Sequence, residues 1–596
     1  MNSTLEHILQ KAVEHHQAGD IATAFRLYDE ILAEEPNHLT ALVNQSAIFM
    51  DLERPVDAAV LLGHAVDLAP DDIEALNNFG NALQKLGQTD GAIRNFKAAL
   101  KLAPTNSAIL GNLAQAQLRS GDYSDALDTL AKALKNAADS SALKFIDALA
   151  LPVVPKDTAQ MNTARERLTD HINRLTQENL ALGDPLREVG MTNFAAAYHG
   201  LNDREIQEQL ATAYLQACPE LAFTAAHINQ PQKSKRIKIG FVSVHLGSHT
   251  IGKLNRSLIT GLDRNKFEVF VFCPGVDKRG QDDIIDEIAA AVDHIYFPAP
   301  LLTTTRSAIA EAALDILYYP DIGMEPLTYF LGFARLAPVQ CVTWGHPVTT
   351  GLSNIDYFIS SAHTEPADAV EHYTESLVQF ENFTTDFVMP EISSNNKSRR
   401  DFGLNETANL YICPQSLFKF HPDFDDLLAG ILSRDSAAEI ILIEGQHPHW
   451  ADLLRARFNQ NIADASKQIK FIPRQSGADY LQLIALADVV LDTPHFCGGN
   501  TSYEAFAFGK PVVTLPGEFM RSRLTLGLYR QMGIEDAIAA TSGDYINIAV
   551  KLGTDKNARA ALGERIAKAH GLIFNANSAI RDHERFFLEA MALAGH

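Results

Sequence analysis

The chain has no run of about 18 apolar residues, so nothing in it reads as a helical membrane span. Cysteine is scarce: Cys218, Cys273, Cys341, Cys413 and Cys497 lie scattered and share no metal-ligand spacing. That argues against a disulfide framework or a structural zinc site and fits a reducing compartment. A basic footprint is also missing. The formal net charge is -23, and the densest basic stretch, Lys233 to Lys238, is short. Nucleic-acid binders displace counterions with clustered Lys and Arg, so nucleic acid is not an expected partner, although a small anion such as a nucleotide stays open. The N-terminus, MNSTLEHILQKAVEHH, lacks a basic segment followed by an apolar core. No signal peptide is expected, and the cytoplasm is the expected compartment. The remainder is ordinary for a globular protein, with 46% apolar and 21% charged residues. At roughly 100–200 residues per domain, 596 residues suggest three or four domains.

Several residue series recur at a 34-residue interval: Pro36, Pro70, Pro104; Ala24, Ala58, Ala92, Ala126; and Tyr28, Leu62, Phe96, Leu130. Gly19, Gly87 and Gly121 keep the same phase, with Glu53 in the skipped glycine place. This is the period of a tetratricopeptide (TPR) array. The small Ala lets two helices approach, the Gly turns the chain out of the first helix, and the Pro ends the second. About four hairpins over residues 5–138 would stack into a solenoid, because one hairpin cannot bury its own apolar face. Asn44, Asn78 and Asn112 run in phase on the first helices. They read either as local helix hydrogen bonding or as an amide ladder that pairs with the backbone of an extended peptide.

Residues 140–235 are Ala- and Leu-rich and read as helix, with a break at Pro152 and Pro155. From Lys235 the pattern changes to short β-branched runs, IKIGFVSVHL, FEVFVFCPG, HIYFPAP, LDILYYPDI and VQCVTWGHP, separated by helical stretches. This alternation predicts a doubly wound sheet, whose ligands bind beyond the carboxyl ends of the strands. Polar clusters stand there: His245, Gly247, Ser248, His249 and Gly252; Asp321, Gly323 and Glu325; Gly345, His346, Pro347, Thr349, Thr350 and Gly351. After a polar, disordered-looking link at 393–401, a second series follows: LYICPQS, EIILIEG, IKFIPR, DVVLDTP and PVVTLPG. In its strongest motif a strand ends at Asp492, Gly498 and Gly499 form a turn, and a helix starts near Asn500, Thr501 and Ser502. Free N–H groups and the helix dipole favour a diphosphate there. Glu504 is placed in the first turn as a ribose acceptor or a simple dipole-stabilising acid. The Asp423–Asp425 DFD resembles a metal-binding DxD, but it precedes the apolar LLAGIL and reads as a helix N-cap.

FVSVHLGSHTIG, LAPVQCVTWGHPVTTG with IDYFIS, PQSLFKFHP, LADVVLDTPHFCGGNTS and PVVTLPGEFMRSR together resemble the O-GlcNAc transferase/SPINDLY family, family 41 of the GT-B glycosyltransferases. The resemblance implies an all-α TPR solenoid (1–140), a helical linker region (141–234), and a GT-B body of two Rossmann-like domains facing a cleft (235–395 and 396–596, with closing C-terminal helices). It implies inverting, metal-independent transfer from a nucleotide-sugar, a UDP-sugar by preference, to protein Ser/Thr side chains, with no prosthetic group and with the TPR arm recruiting the acceptor protein. His249 falls at a cleft histidine, a candidate base or acceptor-orienting group. Lys419 falls at the lysine that contacts the diphosphate, with Gln415 or Ser416 beside it. Asn500, Thr501 and Ser502 match a His-Thr-Thr segment, and the array resembles the family's asparagine ladder. Gly477 and Tyr480 stand where the animal enzymes have a nucleotide-contacting Lys and His, and the large insertion between their halves is missing. Rival readings are a transferase with another donor or linkage (protein N-glucosyl, O-fucosyl, flagellin-modifying), an epimerase, a phosphorylase, and a non-catalytic TPR scaffold.

Overall fold

The computed structural model describes residues 3–229, 235–391, 397–445, 447–462 and 466–595. It divides into two compact units, Met1–Ala150 and Leu151–His596. The boundary expected at 234 and the first part of the polar link lie outside the described residues. The end of that link is ordered: Arg399–Phe402 form a short 3-10 turn closed by a Ser398/Asp401 capping box.

In the first unit, α1 (Ser3–Gln17), α2 (Ile21–Glu34), α3 (Leu39–Asp51), α4 (Pro55–Leu68), α5 (Ile73–Lys85), α6 (Thr89–Leu102), α7 (Ser107–Ser120) and α8 (Tyr123–Asn136) pair as four hairpins. The periodic residues explain the pairing. Ala24, Ala58, Ala92 and Ala126, and the bulky Tyr28, Leu62, Phe96 and Leu130, are all fully buried. The turn after each first helix takes a left-handed residue, with φ of 80° at Gly19, 72° at Gly87 and 99° at Gly121. Glu53 adopts the same conformation at 53°, so the break in the glycine series leaves the turn unchanged. Each proline stands two residues past the end of its helix, where a missing N–H costs nothing. A ninth helix, α9 (Ser141–Ala148), belongs to this unit. Its Leu143 joins Leu110 and Ala133 in one apolar cluster, so α9 covers the end of the stack.

The body holds two all-parallel sheets. The first has the order β3-β2-β1-β4-β5-β6-β7, built from β1 (Ile237–Val242), β2 (Phe267–Phe272), β3 (His294–Tyr296), β4 (Ile316–Tyr319), β5 (Val339–Thr343), β6 (Tyr357–Ser361) and β7 (Ser376–Phe380). The second has the order β10-β9-β8-β11-β12, from β8 (Asn409–Cys413), β9 (Ala438–Ile443), β10 (Ile469–Ile472), β11 (Val489–Leu491) and β12 (Val512–Val513). The ten expected strands all form, and β6 and β7 extend the first sheet. The near-continuous burial of β4, β5 and β8 is what a sheet covered on both faces requires. The last helix, Ser578–Leu593, packs on the first sheet. Ile580, Phe586, Phe587, Ala590 and Met591 enter the core of the first, with Phe267, Ile259 and Tyr318. The chain thus returns to its first Rossmann-like half.

Residues 151–229 fold as part of the body. A 3-10 segment, Phe194–His199, wedges Tyr198 between Val348 of the first half and Phe496 of the second. Asp203 is buried between Arg165, at 2.5 Å, and Arg521, at 3.4 Å. The sequence had shown only helix-forming composition here.

Candidate functional site

The loops that leave the carboxyl ends of β1, β5, β8 and β11 converge. Their meeting point is built around a glycine turn. Asp492 follows β11 and is buried; its Oδ1 accepts the Gly498 N–H at 2.6 Å, and its Oδ2 accepts the hydroxyls of Thr525 at 2.7 Å and Thr514 at 3.0 Å. Burial pushes its carboxyl up to about 6, against those hydrogen bonds. Asp492 therefore holds the turn, and both its oxygens are used within the protein. At Gly498 a Cβ would meet Thr501 Oγ1 at 2.4 Å and Gln415 Nε2 at 2.6 Å, and at Gly499 it would meet Trp344 at 2.9 Å. Only glycine lets the backbone come so close.

The helix Asn500–Ala507 starts at this turn. Thr501 Oγ1 accepts from Gln415 Nε2 at 2.8 Å, and Gln415 Oε1 accepts from Lys419 Nζ at 2.9 Å. Lys419 also donates to the Cys497 carbonyl at 3.3 Å and lies over the Phe496 ring at 4.7 Å. It forms no ion pair among the described residues, and burial holds its ammonium below lysine's ordinary value. Gln415 is the member of the Gln415/Ser416 pair that joins this chain; Ser416 is exposed. Ser502 is turned inward to Thr525 at 2.8 Å, while Asn500 keeps a buried Oδ1 without a partner.

Glu504 is the fifth residue of its helix, beyond the first turn, which contains no acid. The simple dipole reading is corrected accordingly. Its buried carboxylate instead accepts from Lys253 Nζ at 3.0 Å, on the helix Thr250–Gly261 that follows β1, so this ion pair joins the two halves. The DFD reading is also corrected. Pro422 is the N-cap of the helix Asp423–Arg434, and the two aspartates part company. Asp425 turns into the core to Arg457 at 2.8 Å and Asn461 at 3.0 Å, whereas Asp423 stays outside.

On the first half, His249 caps its helix, its Nδ1 accepting the Ile251 N–H at 3.3 Å, and its ring stacks on His245 with centroids 4.3 Å apart. Burial and then Lys253 lower His249, and burial with the neighbouring His249 lowers His245 to about 4, so both rings are neutral near pH 7. In the loop 345–351, His346, Pro347 and Thr349 are buried. His346 packs on Phe194 with centroids 5.3 Å apart, and burial lowers it to about 3. Thr349 Oγ1 donates to Glu375 Oε2 at 2.6 Å. The wedge at 194–199 covers this loop, and no local signal in VTWGHPVTTG announces it. Asp321 is likewise buried, its Oδ2 accepting from Ser243 Oγ at 2.8 Å.

In the array, Asn112 Nδ2 donates to Asn77 Oδ1 at 3.0 Å across a repeat boundary, and Asn77 Nδ2 donates to Asn78 Oδ1 at 3.2 Å. Local pairing therefore uses part of the amide capacity. Asn44, Asn78 and Asn112 remain half-buried at one register of α3, α5 and α7. Lys253, Trp344, Phe496 and the 194–199 wedge were not legible beforehand, since each acts through a contact distant in sequence. None of the described helices is long and apolar enough to cross a membrane.

Residues 210–389 and 389–582 match the family model Glycosyl transferase family 41, and residues 83–149 match a Tetratricopeptide repeat model. The chain is 25% identical over 340 residues to Probable UDP-N-acetylglucosamine--peptide N-acetylglucosaminyltransferase SEC of Arabidopsis thaliana, covering 56% of this chain and 34% of that protein. It is 25% identical over 358 residues to the corresponding SPINDLY protein of Solanum lycopersicum, covering 57% and 37%. A UDP-glucose:protein N-beta-glucosyltransferase of Actinobacillus pleuropneumoniae matches at 23% identity, over 58% of this chain and 55% of that one. This chain thus spans a third to about half of the length of these relatives. Among solved structures, a mutant of Thermobaculum terrenum O-GlcNAc transferase superimposes with TM-score 0.70 over 93% of this chain and 98% of that one, at 23% identity, which shows a common fold.

Proposed function

Because this chain belongs to glycosyltransferase family 41, we propose that it transfers a sugar, N-acetylglucosamine or another hexose, from a UDP-sugar to serine and threonine side chains of proteins, with inversion. The acceptor hydroxyl attacks the anomeric carbon, and the nucleoside diphosphate leaves with the bonding electrons. Lys419 carries this reading. It is a half-buried ammonium that, among the described residues, meets neutral acceptors and an aromatic face, held by Gln415 beside a helix N-terminus. A diphosphate would supply the missing anion, and the charge would offset what develops on the leaving group. Asn500, Thr501 and the turn at Gly498 and Gly499 complete the phosphate cradle. Glu504 is the proposed ribose acceptor, in exchange with Lys253. His249 fits an orienting donor better than a base: with Nδ1 accepting a backbone N–H, the neutral ring carries its proton on Nε2.

The TPR array is proposed to recruit the acceptor protein, with Asn44, Asn78 and Asn112 pairing to its backbone, in the cytoplasm. Transfer of another sugar or to another atom, such as protein N-glucosylation, is the second reading, supported by the match to the Actinobacillus enzyme and by Gly477 and Tyr480. Incubation with labelled UDP- and GDP-sugars and a lysate, followed by mass spectrometry of modified residues, separates the two. Retained partner binding with no transfer from any donor would sink the enzyme reading. Lys419→Ala should lower kcat by about 100-fold or more with an unchanged melting curve, and near-normal turnover would refute its role.

A further inference from the structure

Asp423, released from the DxD reading, faces two imidazoles. His421 stands two residues before it, at the mouth of the β8 loop, and His495 comes from the β11 loop, three residues before Gly498. The Asp423 Oδ2 lies 3.3 Å from His421 Nδ1 and 2.9 Å from His495 Nε2. The three ligand atoms all fall within 4.8 Å of one another. From this convergence we infer that His421, Asp423 and His495 bind one divalent transition-metal ion, of the zinc or cobalt class.

The spacing suits such an ion. In a tetrahedral site with bonds of roughly 2.0–2.1 Å, neighbouring ligand atoms sit about 3.3 Å apart. Of the three separations, His421–Asp423 already has that value, Asp423–His495 needs to open by a few tenths of an ångström, and the two imidazole nitrogens, within 4.8 Å of each other, would adjust to the same spacing. Two imidazoles with one carboxylate select zinc, cobalt, nickel or copper; magnesium and calcium prefer all-oxygen shells. His421 Nδ1 lies against both the Asp423 N–H at 3.1 Å and the Asp423 carboxylate at 3.3 Å, so a cation shared with that carboxylate would replace one N–H contact by two metal–ligand bonds.

The frame supports the ligands. His421 is buried, and its ring centroid lies 4.2 Å from that of His495. His495 is a left-handed residue at φ 66°, with its ring against the backbone of Gly200, where an added Cβ would meet Nδ1 at 2.4 Å. Asp423 and His495 keep side-chain exposures of 56% and 30%, which leaves an entry path and room for a water as fourth ligand. The ion would clip together the loops that carry Lys419 and the glycine turn. It would serve loop order, and it takes no part in the proposed transfer step, so it stands or falls independently of the donor reading.

The test uses the full chain, stripped with chelator and dialysed against cobalt(II) or zinc(II). One ion per chain should be retained, and the cobalt form should show the intense visible band of tetrahedral coordination. Asp423→Asn and His495→Asn should each weaken binding at least about 10-fold, since losing a ligand costs no less than losing a supporting shell residue. Asparagine tolerates the left-handed backbone at 495, so that variant should keep its melting curve. His7→Ala, exposed on α1, should leave binding unchanged. The inference is overturned if the wild-type chain retains no ion, or if both ligand variants bind as it does.

Discussion

Asp321 and His346 sit in the polar loops beyond β4 and β5, and both are buried. Asp321 has no exposure, and its Oδ1 lacks any hydrogen-bond partner. Burial pushes its carboxyl up to about 7. An unfolded aspartate titrates near about 3.9, so between those values the native chain holds a proton that the unfolded chain has lost. The stability this provides is complete below the unfolded value and disappears as pH rises through about 7. Buried neutral histidines such as His346 act in the opposite sense below pH 6.5, so the test is the difference: in urea unfolding between pH 5 and 8, stability should rise less or fall more with pH in the wild type than in Asp321→Asn. Parallel slopes would show that Asp321 is ionised throughout. Lys419 and Gln415 were marked by the resemblance, and Gly498 by a Gly-Gly turn before a helix, although their contacts, Gln415 with Thr501 and Lys419 with Cys497, join two different loops. Lys253 was not, because its partner, Glu504, lies on the other half of the body.

The two kinds of glycine turn make different demands. In the array the demand is on backbone angle: Gly121 has φ 99°, and Gly121→Ala should cost about 1–2 kcal/mol in thermal or urea unfolding. Glu53 shows that a longer residue is accepted in the same turn at 53°, with its carboxylate 2.9 Å from Lys85. At Gly498 the demand is on space. A Cβ there, 2.4 Å from Thr501 Oγ1 and 2.6 Å from Gln415 Nε2, would part the pair that holds Lys419. Gly498→Ala should weaken nucleotide binding by about 10-fold, or roughly 1.4 kcal/mol, in calorimetry. Unchanged affinity would place the diphosphate elsewhere. The turn residues were legible in the sequence for both cases. The spatial reason for Gly498 was not, since Gln415 reaches it from the β8 loop.

For the whole molecule, the first unit ends at Ala150, after α9. A fragment of residues 1–150 should unfold cooperatively and at higher urea than one of residues 1–140, which loses Leu143 from its cluster with Leu110 and Ala133. Equal midpoints would show that α9 adds nothing. Removing residues 1–150 from the full chain should reduce modification of whole proteins more than hydrolysis of the donor, and equal losses would leave the array a folding aid only. The sequence by itself determined the four hairpins, the ten strands expected and the glycine turn. Each depends on local rules: a 34-residue repeat, short β-branched runs, and φ or space at a glycine. The tertiary structure alone decided that the last helix returns to the first sheet, that the 194–199 wedge packs on His346 and Val348, that Lys253 meets Glu504, and that DFD splits between Arg457 and a pair of histidines. Those outcomes depend on which distant surfaces pack together, and burial and charge pairing acquire values only once they have done so.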